Sequence, residues 1–145
     1  MKWQECAIQD LRKYEGQKES LVNIPEKILA LRYRFQAVKS VAADREPVTG
    51  GASHYEDAML DNIVERRRLS FTLSANKRLV ALVEKGLDSL TKTERMVLDA
   101  FFINRRKDHI EYLKQETGYE SAQIYRIKED ALYRFTVSMY GLPEY

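Results

Sequence analysis

The stretch Leu113-Lys114-Gln115-Glu116-Thr117-Gly118-Tyr119-Glu120-Ser121-Ala122-Gln123-Ile124-Tyr125-Arg126-Ile127-Lys128-Glu129-Asp130-Ala131-Leu132 decides the fold. Gly118 is the residue type that closes a helix with a left-handed turn. Ser121 is placed to cap a new helix, predicted over Ala122 to about Tyr140 and stopped by Gly141-Leu142-Pro143. Ile124, Ile127, Ala131, Leu132 and Phe135 recur at helical spacing and give that helix one apolar face. Ser121, Gln123, Tyr125 and Arg126 fall on the outward side near its start.

Upstream, Thr91 and Glu94 have capping-box spacing and open a short helix whose apolar residues are Met96, Val97, Leu98, Phe101 and Phe102. The basic turn Asn104-Arg105-Arg106-Lys107 comes next. Asp108 is read as the cap of a second short helix, with Ile110, Tyr112 and Leu113 apolar. Helix, glycine turn, helix is the helix-turn-helix arrangement. In such a unit the last helix buries one face and offers polar groups to base edges in the major groove. Gln123 suits an adenine edge, and Arg126 a guanine edge or a phosphate. Arg105, Arg106 and Lys107 stand where phosphate contacts would set orientation.

The rest of the chain reads as stem. Trp3, Ala7, Leu11 and Tyr14 form one stripe on a first helix, which Gly16 weakens. At Asn23-Ile24-Pro25-Glu26 two readings stand: a fresh helix start, or one continuous helix kinked at Pro25. Ile24, Ile28, Leu31, Phe35, Val38 and Ala42 then make a seam of roughly three heptads. Pro47 and Gly50-Gly51 mark residues 44–54 as a loop, and Ser53 with Glu56 can cap the next helix. That second long helix, about Tyr55 to Leu87, carries a seam with two polar members, Arg66 and Asn76. The expected fold is therefore all-α. A long helical hairpin, or coiled-coil-like stem, comprises residues 1–43, a loop at 44–54 and a second stem helix at 55–89. A three-helix domain occupies residues 90–145. The same seams would also pair two copies into a homodimer.

Composition narrows the classes. Cys6 is the only cysteine, which excludes an intrachain disulfide and a cysteine-ligated zinc site and points to a reducing, cytoplasmic compartment. The start of the chain lacks the apolar run of a signal peptide, and no membrane span is expected. The net charge is +2, and residues 86–145 carry nine Lys/Arg against ten Asp/Glu. Nucleic-acid binding there must rest on local clusters rather than bulk charge. Arg66-Arg67-Arg68 reads as a solvated face, with a second nucleic-acid or partner contact as the alternative. His54 and His109 stand apart from any ligand set, and Cys6 reads as a small apolar filler. Tyr112, Tyr133 and Tyr140 have core-like spacing, and Tyr125 points outward. No catalytic constellation or cofactor motif is found, so the expectation is not an enzyme and no cofactor.

The run Leu90-Thr91-Lys92-Thr93-Glu94-Arg95-Met96-Val97-Leu98 resembles the opening of sigma-factor region 4, and residues 113–132 resemble its helix-turn-helix. The whole chain resembles small proteins encoded by bacteriophages and prophages. These pair a helical stem with a sigma-like end and are related in architecture to phage late transcription regulators of the ArpU and RinA type. The resemblance implies a cytoplasmic, DNA-binding transcriptional regulator in a bacterial host, with double-stranded DNA and RNA polymerase as partners. Ser121, Ala122 and Gln123 occupy positions where region 4 usually carries basic residues. Nothing resembles the promoter-opening region, so a complete sigma factor and its promoter preference are not implied. Two alternatives stand beside this reading. One is a protein-interaction adaptor without DNA contact. The other is packaging-site recognition like that of a small terminase subunit.

Overall fold

The computed structural model describes residues 2–43 and 52–141. The regular elements are α1 (Trp3–Ala43), α2 (Ala52–Asp88), α3 (Lys92–Leu98), a π-helical turn (Asp99–Ile103), α4 (His109–Thr117) and α5 (Ser121–Tyr140). The described residues are thus all-helical, with no strand among them. No described helix is long and apolar enough to cross a membrane. Most of the expected loop, residues 44–51, lies outside the described residues, as does the side chain of Ser53.

At Pro25 the continuous reading is the one realised: α1 passes through both Gly16 and Pro25. An interior proline removes one backbone hydrogen bond and costs about 3 kcal/mol. Pro25 itself is exposed, while its neighbour Ile24 is buried. Burial of Ile24 and the helical turns on both sides offset the loss.

Contacts divide the chain into two compact units. One takes in Met1–Lys18 with Arg78–Tyr145, and the other is Glu19–Lys77. In the second unit the seam residues Ile28, Leu31, Phe35, Val38, Met59, Ile63 and Leu73 are half-buried, and Ile24 and Leu69 are buried. The polar seam members find partners. Arg66 donates through Nε to Asn62 Oδ1 at 2.8 Å, and its guanidinium lies 5.0 Å from the Phe35 ring centroid. Asn76 donates to Ser20 Oγ at 2.8 Å. Asn62, unnoticed in the sequence, is 8 % exposed and donates to the Leu31 carbonyl at 2.8 Å. A buried amide must be hydrogen-bonded, so these contacts fix which residues of α1 and α2 face each other.

The first unit holds most of the fully buried side chains. Ala7, Leu11 and Tyr14 of α1 are buried, as are Val80, Val83 and Leu87 of α2. Val97 and Leu98 of α3, Leu113 of α4, and Ile124, Ala131, Leu132 and Phe135 of α5 join them. Each such large side chain contributes about 1.5–3 kcal/mol of transfer free energy. Trp3 stacks on Tyr140 with ring centroids 5.1 Å apart, and the Tyr140 hydroxyl donates to Asp10. Tyr14 donates to Glu84 at 3.0 Å. The start of α1 is therefore latched onto the end of α5. Tyr133, expected in the core, is instead 44 % exposed. It lies one residue past Leu132, and the 100° step carries it off the buried stripe. Cys6 is half-buried and free.

Candidate nucleic-acid interface

The candidate surface comprises α4, α5 and the turn between them. α4 ends at Gly118, which is left-handed (φ 75°, ψ 5°) and donates its N–H to the Lys114 carbonyl at 2.9 Å. A residue with a Cβ is strained in that conformation, so glycine is required by the backbone itself. Thr117 Oγ1 accepts from the Tyr119 N–H at 3.2 Å and donates to the Leu113 carbonyl at 2.6 Å, which tightens the turn.

The start of α5 differs by one residue from the expected cap. Glu120, extended at φ −75° and ψ 161°, holds the capping position with no side-chain hydrogen bond, and its carbonyl accepts the Ile124 N–H at 3.1 Å. Ser121 is the first residue with helical geometry and is half-buried. Asp108 likewise precedes α4, and its carbonyl accepts the Tyr112 N–H at 2.9 Å, but its side chain makes no cap hydrogen bond. Its carboxylate is taken by Arg106 Nε at 3.2 Å.

Behind α5, Ile124 is fully buried against Val97, Ala100 and Leu113, with Ile127 partly buried beside it. That packing turns Gln123, Tyr125 and Arg126 to solvent, and all three are exposed. Tyr125 is 46 % exposed, so its ring is half contact and half surface. Ala122, Tyr125 and Arg126 share a shallow recess with Glu129 and Asp130, one turn further along. Two carboxylates thus stand beside the one arginine of this surface.

The wide turn before the basic segment places the aromatic residues. The Asn104 N–H donates to the Asp99 carbonyl at 2.8 Å, five residues back, and Asn104 Nδ2 donates to Asp99 Oδ1 at 2.9 Å. Phe101 on this π-helical turn meets His109 edge-on at 4.7 Å and Tyr125 edge-on at 5.8 Å. The Lys128 ammonium lies 5.4 Å from the Phe101 ring centroid and 5.5 Å from that of Tyr125. A π-bulge is common at functional sites because the extra residue re-aims side chains. The sequence shows Phe101 only as an apolar position. The five-residue bond that aims it has no pattern signal.

Arg105, Arg106 and Lys107 are exposed between this turn and α4. Arg106 is held twice, by Asp108 and by the Tyr112 ring at 4.1 Å from its guanidinium carbon. Arg105 and Lys107 form no ion pair among the described residues. His109 Nδ1 lies 3.0 Å from the Arg106 carbonyl, an acceptor only, so the ring donates from Nδ1.

Glu94 ties this layer to α5. It is 7 % exposed, closes a capping box with Thr91 and accepts from Arg134 Nη1 at 3.0 Å. No family model, curated protein or solved structure matches the chain.

Proposed function

We propose that this chain is a DNA-binding transcriptional regulator of the phage or prophage type. In this reading α4, the Gly118 turn and α5 act as a helix-turn-helix of the sigma region 4 kind, closing a three-helix end on a helical-hairpin stem. The helix beginning at Ser121 enters the major groove. Gln123, Tyr125 and Arg126 meet base edges, and Arg105 and Lys107, with Arg106, meet phosphates. The observation that carries the reading is the disposition of α5. A fully buried Ile124 lies behind three exposed, hydrogen-bonding side chains in the first two turns after a left-handed glycine.

A second reading rests on charge. Glu129 and Asp130 line the recess that holds Arg126, and residues 86–145 are slightly acidic. Carboxylates near a phosphate backbone oppose binding, and this favours an adaptor that contacts a protein such as RNA polymerase. A single recognition helix with few basic neighbours binds weakly alone. The DNA reading therefore expects two half-sites or a polymerase partner.

Selection of bound genomic and prophage fragments at controlled salt separates the two. Under the DNA reading one fragment is enriched and a Gln123→Ala/Arg126→Ala variant loses it. Uniform recovery, or none, hands the function to the adaptor.

A further inference from the structure

Within the Glu19–Lys77 unit, the outer back of α2 repeats a second pattern. Asp57, Leu60, Val64, Arg67, Phe71 and Ser74 step by three, four, three, four and three, and all six are exposed. Leu60 is 58 % exposed, Val64 62 % and Phe71 79 %. A turn of 100° per residue puts the six on one stripe, opposite the side that carries the buried Asn62 and Leu69. The inner seam of the same helix is closed inside the chain, by Asn62 on the Leu31 carbonyl and by Asn76 on Ser20. The outer stripe is thus a second a/d seam on a helix whose first seam is already used. A ring as exposed as Phe71, in line with other apolar side chains, marks an interaction surface.

Charge along this face tells what covers it. Every charged residue of α2 from 55 to 65 is acidic, and every one from 66 to 77 is basic. With Leu60 and Arg67 at d and Val64 and Phe71 at a, the e positions hold Asp61 and Arg68, and the g positions hold Glu56 and Lys77. Each flank of the stripe therefore carries an acid towards the start of the helix and a base towards its end. We infer that the back of α2 pairs with the back of α2 in a second copy, antiparallel. A two-fold axis across such a pair keeps each flank on its own side. Leu60 of one copy then faces Phe71 of the other, Val64 faces Arg67, and Asp57 faces Ser74. The same register sets Asp61 beside Arg68 and Glu56 beside Lys77, each pair formed twice. Parallel pairing would oppose acid to acid and base to base, which costs rather than stabilises. Glu56, Asp61 and Lys77 form no ion pair among the described residues, while Arg68 is held by Glu65 of its own chain. Arg67 also lines a groove with Arg32 and Ile28 of α1, so its guanidinium leaves the stripe at that edge and its stem covers Val64 of the other copy. An anionic lipid surface would meet Glu56, Asp57 and Asp61. This inference does not rest on the DNA reading, since no residue of α4 or α5 takes part.

Sedimentation equilibrium of the full chain should show a reversible dimer. Phe71→Ser should weaken it by about tenfold or more with an unchanged circular dichroism spectrum, since the ring is exposed in the single chain. Glu56→Lys and Lys77→Glu should each weaken the dimer about fivefold, and the two together should restore it, a gain that misfolding does not produce. Direction is read by cross-linking in a Cys6→Ser background. Mild oxidation of mixed Leu60→Cys and Phe71→Cys chains should join unlike chains faster than either variant joins itself. A chain that stays monomeric across the concentration range overturns the proposal and leaves the face to a different protein. So does a dimer that Phe71→Ser leaves intact. Faster self-linking of each cysteine variant overturns it in favour of a parallel pair. Co-sedimentation with phosphatidylserine vesicles that Phe71→Ser abolishes, with no dimer in solution, overturns it in favour of a lipid surface.

Discussion

Glu94 Oε1 accepts two hydrogen bonds at once, from the Thr91 backbone N–H at 3.1 Å and from Arg134 Nη1 at 3.0 Å. One carboxylate oxygen thus caps α3 and fixes α5 against it, across forty residues of chain.

Glu94→Ala should therefore remove more than a cap. Loss of the capping box alone costs about 1 kcal/mol, and the released Arg134 adds to that, for roughly 1–2 kcal/mol in all. Glu94→Gln keeps an acceptor for the Thr91 N–H and should lose about half as much. Urea unfolding with an unchanged m-value measures both. Equal losses for Ala and Gln would mean that the charge on Glu94, not its geometry, carries the effect.

Gly86 and Gly16 should respond to alanine with opposite signs. A Cβ on Gly86 would come within 2.8 Å of Phe135 Cε2 and 3.2 Å of Met139 Cγ, and Phe135 is fully buried. Nothing lies within 4 Å of a Cβ on Gly16. In an open helix Gly→Ala stabilises by about 0.5–1 kcal/mol. Gly16→Ala should raise the melting temperature. Gly86→Ala should lower it, since overpacking costs about 1–3 kcal/mol and exceeds the propensity gain. A rise in both would show that Phe135 has room to move.

Alkaline pH should weaken the latch between the start of α1 and its neighbours. Burial, and then the hydrogen bond to Glu84, push Tyr14 up to about 12. Burial and the bond to Asp10 push Tyr140 up as well. A raised folded-state pKa means the neutral form is favoured by folding. The stability it contributes is full below the unfolded value near 10 and is lost as pH rises through the folded values. Melting temperature should fall from about pH 10 upward, and a Tyr14→Phe/Tyr140→Phe variant should fall less steeply over that window. Identical slopes would assign the alkaline loss to other groups.

Under the DNA reading, affinity should separate by role. Arg105→Ala/Lys107→Ala should weaken binding to all sequences alike and reduce the slope of log K against log salt by about 2, one for each phosphate no longer neutralised. Gln123→Ala should leave the slope unchanged and relax discrimination at one base pair. All of these side chains are exposed, so circular dichroism melts should stay within about 0.5 kcal/mol of the parent. A changed slope with Gln123→Ala would displace that residue from base reading.

Much of the fold was legible in the residues because it is local. Gly118 had to be left-handed, Thr91 and Glu94 had capping-box spacing, and the stripe from Ile124 to Phe135 had one period. Those features depend on neighbours within a turn or two, where sequence spacing is spatial spacing. Caps one residue out of place, as at Ser121 and Glu120, mark the limit of that logic. A serine and a glutamate side by side leave the choice to the backbone path of the turn.

The sequence by itself determined the helical class, the turn that opens α5 and the side of α5 that must be buried. Only the tertiary structure decided the rest. It placed Phe101 between His109 and Tyr125 through a five-residue backbone bond, and tied Tyr140 to Asp10 and Trp3 from the far end of the chain. It moved Tyr133 outward and set Arg32 and Arg67 on a groove that no carboxylate lines. The physical reason is common to all of these. Periodicity specifies which face of a helix is apolar, but not which distant side chain fills the space beside it. That depends on shape, on the last hydrogen bond satisfied and on the surface left over when packing is complete.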